Sequence, residues 1–106
     1  AKKKITSRTI VLAERYDFQV RKITVRDQSS RWGSCSSAKN INLNWRLIFA
    51  PRSILDYVII HELCHTRQMN HSRRFWDLVE SIMPSWREKR NWLREYSSHL
   101  EIKAEK

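Results

Sequence analysis

The 106-residue sequence has few of the residue types that interrupt or cross-link a chain: it contains one glycine, two prolines and two cysteines. It also lacks internal repeats, low-complexity segments and flexible linkers, so we predict one domain over residues 1–106. No apolar run reaches the length that spans a bilayer, and no charged-then-apolar leader opens the chain. These absences predict a cytoplasmic protein without a membrane partner, and they leave its oligomeric state open.

The formal net charge of +10 is unevenly distributed along the chain. Residues 1–50 hold eleven Lys and Arg against three acidic residues, whereas residues 51–106 hold ten against eight. The excess begins with Lys2-Lys3-Lys4. A solvated basic face or tail is one interpretation, and a surface for nucleic acid or an acidic substrate is the other.

The stretch His61-Glu62-Leu63-Cys64-His65 indicates chemistry by its spacing alone. Two histidines four residues apart on a helix project from the same face, so both imidazoles can bind one divalent ion. Glu62 projects about 100° around the axis, close enough to hold a metal-bound water without occupying the metal, and is the expected general base. Two solvated histidines on a surface helix are the alternative. The preceding apolar residues argue against it, because they predict a buried helix: Ile54, Leu55, Val58, Ile59 and Ile60.

The two cysteines are predicted to be reduced thiols, because the chain shows no export signal that would favour a disulfide between Cys35 and Cys64. Cys64 lies between the two histidines, about 80° from the metal-facing direction of the predicted helix. We interpret it as a small buried side chain and not as a ligand.

A catalytic zinc ion usually has three protein ligands and one open position, so a third ligand is needed. If the helix continued to His71, that side chain would lie about 9 Å beyond His65 and face away from the pair. Asn70 is the residue best suited to a left-handed exit, which would let the chain turn back just before His71. We predict His71 as the third ligand of one Zn²⁺ ion, Glu80 as the alternative, and His99 as a surface residue.

The remaining pattern predicts a small α+β domain. A first helix is predicted over residues 7–16, with Ile10 to Ala13 as an imperfect apolar face. Strands are predicted over 18–26 and 41–45, the second with Ile41, Leu43 and Trp45 inward. With the polar stretch around Gly33, these segments suggest an antiparallel sheet of about three strands ahead of the metal helix. The lone Gly33 itself suggests a bulge or a close backbone approach.

The second half of the chain predicts three helices. Ser53 and Asp56 resemble a capping box that opens the central helix. Ser72 is the predicted cap of a helix over 73–82, and Ser85 with Glu88 is the predicted capping box of a last helix over about 86–96. The tail over 97–106 is predicted to be loose or a short edge strand.

The sequence resembles the YgjP-like metallopeptidase domain family, which is related to SprT-type proteins. The resemblance spans nearly the whole chain and implies a zincin-like fold, zinc bound by His61, His65 and His71, and Glu62 as the catalytic residue. It also implies that the chain is the catalytic core of a longer protein. The matching blocks are Ser30-Arg31-Trp32-Gly33-Ser34-Cys35-Ser36, Asn42-Leu43-Asn44-Trp45, Asp56-Tyr57-Val58-Ile59-Ile60-His61-Glu62-Leu63-Cys64-His65, Asn70-His71-Ser72 and Phe75-Trp76.

The expected reaction is hydrolysis of a peptide bond in a peptide or protein substrate. Zinc lowers the pKa of its bound water from 15.7 toward about 7, and Glu62 takes the proton and later delivers it to the departing amine. An extended peptide is expected to add to the strand that contains Asn42 and Asn44. The candidates for stabilising the oxyanion are Arg31, Tyr57 and Tyr96.

Two other functions stay open at this point. One is a zinc-dependent hydrolase of a non-peptide amide, since the same site chemistry serves other acyl substrates. The other is a DNA-associated SprT-like zinc protein, for which nucleic acid would be the partner.

Overall fold

The computed structural model describes residues 2–28 and 30–100, with Leu100 described in its backbone only. It contains four helices and three strands, and this content confirms the predicted α+β class. In chain order the elements are α1 (Lys2–Arg15), β1 (Lys22–Arg26), β2 (Gly33–Cys35), β3 (Asn40–Asn44), a 3₁₀ helix (Trp45–Phe49), α2 (Arg52–His65), α3 (Arg73–Ile82) and α4 (Trp86–Leu100).

The sheet has the order β1-β3-β2 and is mixed, so the prediction of an antiparallel sheet is wrong for one of its two strand pairs. β2 pairs with β3 antiparallel, whereas β1 pairs with β3 parallel. The parallel pair arises because β2, the next strand along the chain after β1, lies on the far side of β3. Consecutive strands usually pair directly, which is the preference that misled the sequence-based prediction.

Asn44, the last residue of β3, holds the segment between β1 and β2. Its fully buried side chain donates hydrogen bonds to the backbone oxygens of Gln28 (2.7 Å) and Arg31 (3.1 Å). Its side-chain oxygen accepts from the backbone N–H of Arg46 and thereby caps the 3₁₀ helix. One amide therefore satisfies three backbone groups, two of them between β1 and β2.

Replacing Asn44 with alanine is expected to lower the free energy of unfolding by about 2–3 kcal/mol, because buried backbone carbonyls would lose their donors. Urea denaturation of the purified variant measures this change. Asn42→Ala is the matched control, since the half-buried Asn42 side chain makes one long hydrogen bond of 3.4 Å to Ser34. Equal losses in the two variants would contradict this role of Asn44.

α2 is the central helix of the fold, as its apolar sequence predicts. Eleven of its fourteen residues are buried, and it contacts the other three helices as well as β2 and β3. A helix with apolar groups on nearly every side can satisfy them only when other elements surround it. The two histidines of the motif are therefore held by the most enclosed element of the protein.

α1 begins at Lys2, five residues before the predicted start, so Lys2-Lys3-Lys4 belongs to a helix and not to a tail. Its buried face is formed by Ile5, Thr9, Leu12 and Ala13. Two of the residues predicted to face inward are exposed instead, namely Ile10 (45%) and Val11 (42%). The register is set by Arg8, which donates two hydrogen bonds of 2.8 Å to the carboxylate of Asp56 and so joins α1 to α2.

That ion pair also explains why the predicted capping box of α2 is wrong. Asp56 is engaged by Arg8, and α2 begins after Pro51 without a side-chain cap. The predicted strand over 18–26 is shorter than expected, since β1 covers only its second half. The helix over 73–82 is confirmed, and Ser72 precedes it as predicted but makes no capping hydrogen bond with its side chain.

The last helix begins as predicted at Trp86 but continues to Leu100, so the first part of the predicted tail is helical. Residues 101–106 lie outside the described residues. Trp45, predicted to face inward from a strand, begins the 3₁₀ helix and is half-buried. None of the described helices combines the length and apolar character that a membrane span requires.

Candidate metal centre

His61 and His65 lie one turn apart near the end of α2, and both are buried. Their ring centroids are 5.0 Å apart. The i, i+4 spacing on an unbroken helix produces this arrangement directly, because it places both imidazoles on the same face. This face of α2 is where the motif was expected to bind metal.

His71 reaches the same point from the loop between α2 and α3. Its Nε2 atom lies 3.2 Å from Nε2 of His61 and 3.0 Å from Nε2 of His65. Within the described part of the chain, these three residues form a group whose ligand atoms lie within 4.8 Å of one another and could hold a metal ion. The structure thus brings together the three histidines that the sequence analysis selected.

The chain turns back to His71 by a different route from the predicted one. α2 ends at His65, and Thr66 keeps a right-handed conformation instead of a left-handed exit at Asn70. Among the described residues, positive backbone φ angles occur only at Asp17 and Lys39. The turn is closed by hydrogen bonds from the backbone N–H groups of Arg67 and Gln68 to Cys64.

The donor set fits a zinc ion. Zn–N bonds of 2.0–2.1 Å in a tetrahedral site place neighbouring ligand nitrogens about 3.3 Å apart, close to the two Nε2 separations observed. Nδ1 of His65 lies 3.0 Å from the backbone oxygen of Gln68, so this nitrogen carries the proton and donates it there. That hydrogen bond leaves the Nε2 lone pair directed to the metal position, which is the usual outer-shell arrangement for a metal-binding histidine.

Two aromatic residues of α3 hold the imidazoles in place. Phe75 stacks on His65 with a centroid distance of 4.3 Å, and Trp76 stacks on His71 at 5.9 Å. Both rings also contact His61 edge-on. These ring contacts restrict the rotation of the imidazoles, and His61 and His65 are also shielded from water, whereas His71 is exposed.

Glu62 is fully buried, with 0% of its surface exposed. It lies on the side of α2 that faces β2, and its carboxylate lies against the backbone of Gly33. The close backbone approach that the lone glycine suggested is therefore present, and its neighbour is the proposed general base. The sequence around Gly33 does not reveal that Glu62 is this neighbour, because Glu62 lies on another element far along the chain.

The three oxyanion candidates occupy different environments. Tyr57 is buried one turn before His61, and their rings are 5.9 Å apart. Burial raises the pKa of Tyr57 above its ordinary value, so its phenol stays protonated and can donate a hydrogen bond. Tyr96 is half-buried and stacks on Trp32, and Arg31 is exposed. Tyr57 is thus the candidate in direct contact with the histidine group.

The residues considered as other ligands lie elsewhere. Glu80 is exposed, accepts a hydrogen bond from Trp86 and pairs with Arg87. His99 is exposed on α4, as predicted. Cys64 is buried and forms no disulfide among the described residues, and burial raises the pKa of its thiol to about 12.

The peptide position predicted from the sequence is wrong. Asn42 and Asn44 belong to β3, which is the middle strand and is paired on both sides. A strand that is already paired twice has no backbone groups left for a substrate. β2 is the edge strand that adjoins Glu62, so it is the place where an extended peptide could add.

The basic run that raised the nucleic-acid hypothesis belongs to α1 and not to the elements that carry the three histidines. Lys2, Lys3 and Lys4 are exposed on α1. A cavity of about 360 Å³ lies between α1, the 3₁₀ helix and the first turn of α2, and Lys4 and Arg52 are among its lining residues. Binding of nucleic acid stays a prediction.

Comparison with known proteins assigns a family. The family model described as the YgjP-like metallopeptidase domain matches residues 1–96. The fold is similar to the crystal structure of the metallopeptidase zymogen of Pyrococcus abyssi abylysin, with a TM-score of 0.76 at 19% sequence identity. That similarity covers 87% of this chain and 93% of the abylysin chain. No curated protein matches the chain.

Proposed function

The chain belongs to the family of YgjP-like metallopeptidase domains, and on that premise we propose that it is a zinc peptidase with Glu62 as its general base. The observation that carries this proposal is the convergence of three histidines: Nε2 of His71 lies 3.0–3.2 Å from Nε2 of His61 and His65, and the helix of those two also bears the buried Glu62. His61, His65 and His71 are the proposed zinc ligands. We also propose that the protein acts in the cytoplasm, as the sequence predicts.

The choice of zinc follows from the chemistry of the donors. Three neutral imidazoles suit zinc better than magnesium or calcium, which prefer oxygen ligands. Three protein ligands also leave a coordination position open, as in catalytic zinc sites. When bound, the ion supplies a Lewis acid that polarises the scissile carbonyl and lowers the pKa of a water molecule.

Glu62 is the residue proposed to move the proton. Its carboxylate accepts a proton from the attacking water and then delivers it to the nitrogen of the departing amine. Tyr57, which stays protonated, is the proposed donor of a hydrogen bond to the oxyanion, because it lies beside His61. In this proposal Glu62 transfers the proton and Tyr57 stabilises the negative charge on the oxyanion.

The proposed substrate is an extended peptide that adds to the outer edge of β2. Strand addition uses backbone N–H and C=O groups, so it binds many sequences with little discrimination by side chains. The same strand contacts Glu62 through Gly33, which supports this proposal because a peptide added to β2 would lie close to the proposed general base. β2 takes the place of the predicted β3, because β3 is paired on both sides.

Incubation with an unbiased peptide library is expected to give cleavage that a chelator abolishes and added zinc restores, with mass spectrometry identifying the products. Purified protein should contain about one zinc ion per chain. Cleavage that persists in the metal-free protein would contradict the proposal. Turnover of simple amides without any peptide cleavage would instead support the hydrolase of non-peptide amides.

A further inference from the structure

Gly33 lies where a side chain would press tightly against the proposed general base. A β-carbon added to Gly33 would lie 3.1 Å from Cγ of Glu62 and 3.2 Å from its Oε2 atom. It would also lie 3.2 Å from the backbone oxygen of Asn42. All three separations are shorter than ordinary van der Waals contacts between such atoms.

The backbone conformation does not account for a glycine at this position. The described residues include no glycine with a positive φ angle, so an alanine could adopt the backbone of Gly33 without strain. Gly33 pairs with Leu43 in the regular antiparallel ladder, which places it inside the sheet and not at a bulge. The requirement for glycine is therefore one of space.

Of the atoms around this space, those of the Glu62 side chain can move with the least disturbance of the fold. The Asn42 oxygen belongs to the backbone of the middle strand, and two strands hold that strand in place. α2 is enclosed on nearly all sides, so its backbone cannot retreat from β2. A methyl group at position 33 would consequently be accommodated by rotation of the Glu62 carboxylate away from its present position.

We propose that Gly33 is a positioning residue, whose missing side chain provides the space that the Glu62 carboxylate occupies between α2 and β2. This inference rests on the proposed function, because it concerns the placement of the proposed general base. It assigns a role in turnover to a residue of the sheet that offers no functional group. It also predicts that metal binding and turnover can be separated by a change at β2.

The test is Gly33→Ala, measured for zinc affinity, kcat, KM and thermal unfolding. We expect kcat to fall about tenfold, because the carboxylate must shift by a few tenths of an ångström and a misplacement of about 1 Å costs about 10²-fold in an oriented site. Zinc affinity and KM should change less than about threefold, because the histidines and the backbone of β2 are untouched. Thr24→Ala, on the opposite edge strand β1 and outside the proposed peptide and metal sites, is the control and should retain kcat.

A double-mutant cycle distinguishes positioning from a general loss of structure. If Gly33 acts through Glu62, adding Gly33→Ala to Glu62→Gln should leave the residual rate unchanged within about threefold. A further large loss in the double variant, or a parallel loss of zinc affinity in Gly33→Ala, would overturn the proposal. Unchanged kcat in a folded Gly33→Ala variant would overturn it as well.

A crystal structure of Gly33→Ala tests the inference without any turnover. The Glu62 carboxylate is expected to rotate away from β2 while the three imidazoles keep their places. An unmoved carboxylate beside the new methyl group would refute the positioning role. By contrast, wild-type protein that binds zinc but cleaves no peptide would refute the proposed function, whatever the carboxylate does in the variant.

Discussion

Glu62→Gln is expected to lower kcat by about 10²–10⁴-fold while the protein keeps its zinc, because the amide has the shape of the carboxylate but cannot accept the proton. Glu62 is adjacent to His61 in the chain yet faces β2, so its replacement leaves the three imidazoles together. The measurement is the rate of peptide cleavage at saturating substrate, with the zinc content determined on the same sample. Both numbers are needed, since loss of metal alone would also stop the reaction.

Glu80→Gln is the matched control for this experiment. It makes the same chemical change at an exposed carboxylate outside the histidine group, where it removes only the contacts with Trp86 and Arg87. The control should retain both zinc and turnover. Wild-type rates in Glu62→Gln would remove Glu62 from the mechanism, and loss of zinc in Glu80→Gln would restore Glu80 as a ligand candidate.

His71→Ala is expected to reduce the zinc content from about one ion per chain to nearly none, and peptide cleavage with it. Two imidazoles from one helix are too few to hold a catalytic zinc ion without a third ligand. Metal analysis after dialysis measures the loss. The fold itself should persist, because His71 is an exposed loop residue and the core around α2 does not depend on it.

The matched control here is His99→Ala, which removes another exposed histidine, on α4 and outside the histidine group. It should bind zinc as the wild type does. Zinc at about 100 times its dissociation constant stabilises a protein by about 2.7 kcal/mol. That increment should appear in the wild type and in His99→Ala and be absent in His71→Ala. Equal zinc content in the two variants would show that the third ligand is another residue.

The sequence predicted the helical part of the fold well because helix signals are local. α3 matches its predicted bounds, since Ser72 and Pro84 mark its two ends and a regular apolar stripe lies between them. α2 was recognised from its continuous apolar character. Its capping box was wrong because Asp56 bonds to Arg8, a partner 48 residues away that no local pattern reveals.

The sheet was harder to predict because its order depends on contacts between distant segments. Alternating apolar residues identified β3, but they do not say which strands lie beside it. The buried Asn44 amide bonds to the backbone oxygens of Gln28 and Arg31 between β1 and β2, a contact that no local pattern reveals. Because the strand order could not be read from the sequence, the predicted substrate position fell on β3, the middle strand.

At the candidate site, too, features set by local spacing were predicted and features set by other contacts were not. The spacing of His61 and His65 on a helix predicted their convergence, and the need for a third donor selected His71 correctly as a member of the group. The route of the chain to His71 was mistaken, because Thr66 to Gln68 form a right-handed turn that needs no residue with a positive φ angle. The hydrogen bond that orients His65 was also not predicted. Its acceptor is the backbone oxygen of Gln68, and every residue type has such an oxygen, so the sequence does not reveal it.

The histidine group also has a consequence for the mechanical integrity of the protein. Two of its members belong to the enclosed helix α2, whereas the third lies on the exposed loop that leads into α3. An ion bound to all three would act as a reversible cross-link between the rigid centre and that loop, anchoring the start of α3 together with the aromatic rings of Phe75 and Trp76 that it carries. The availability of metal would then determine the rigidity of this loop and of the start of α3 as well as the catalytic activity.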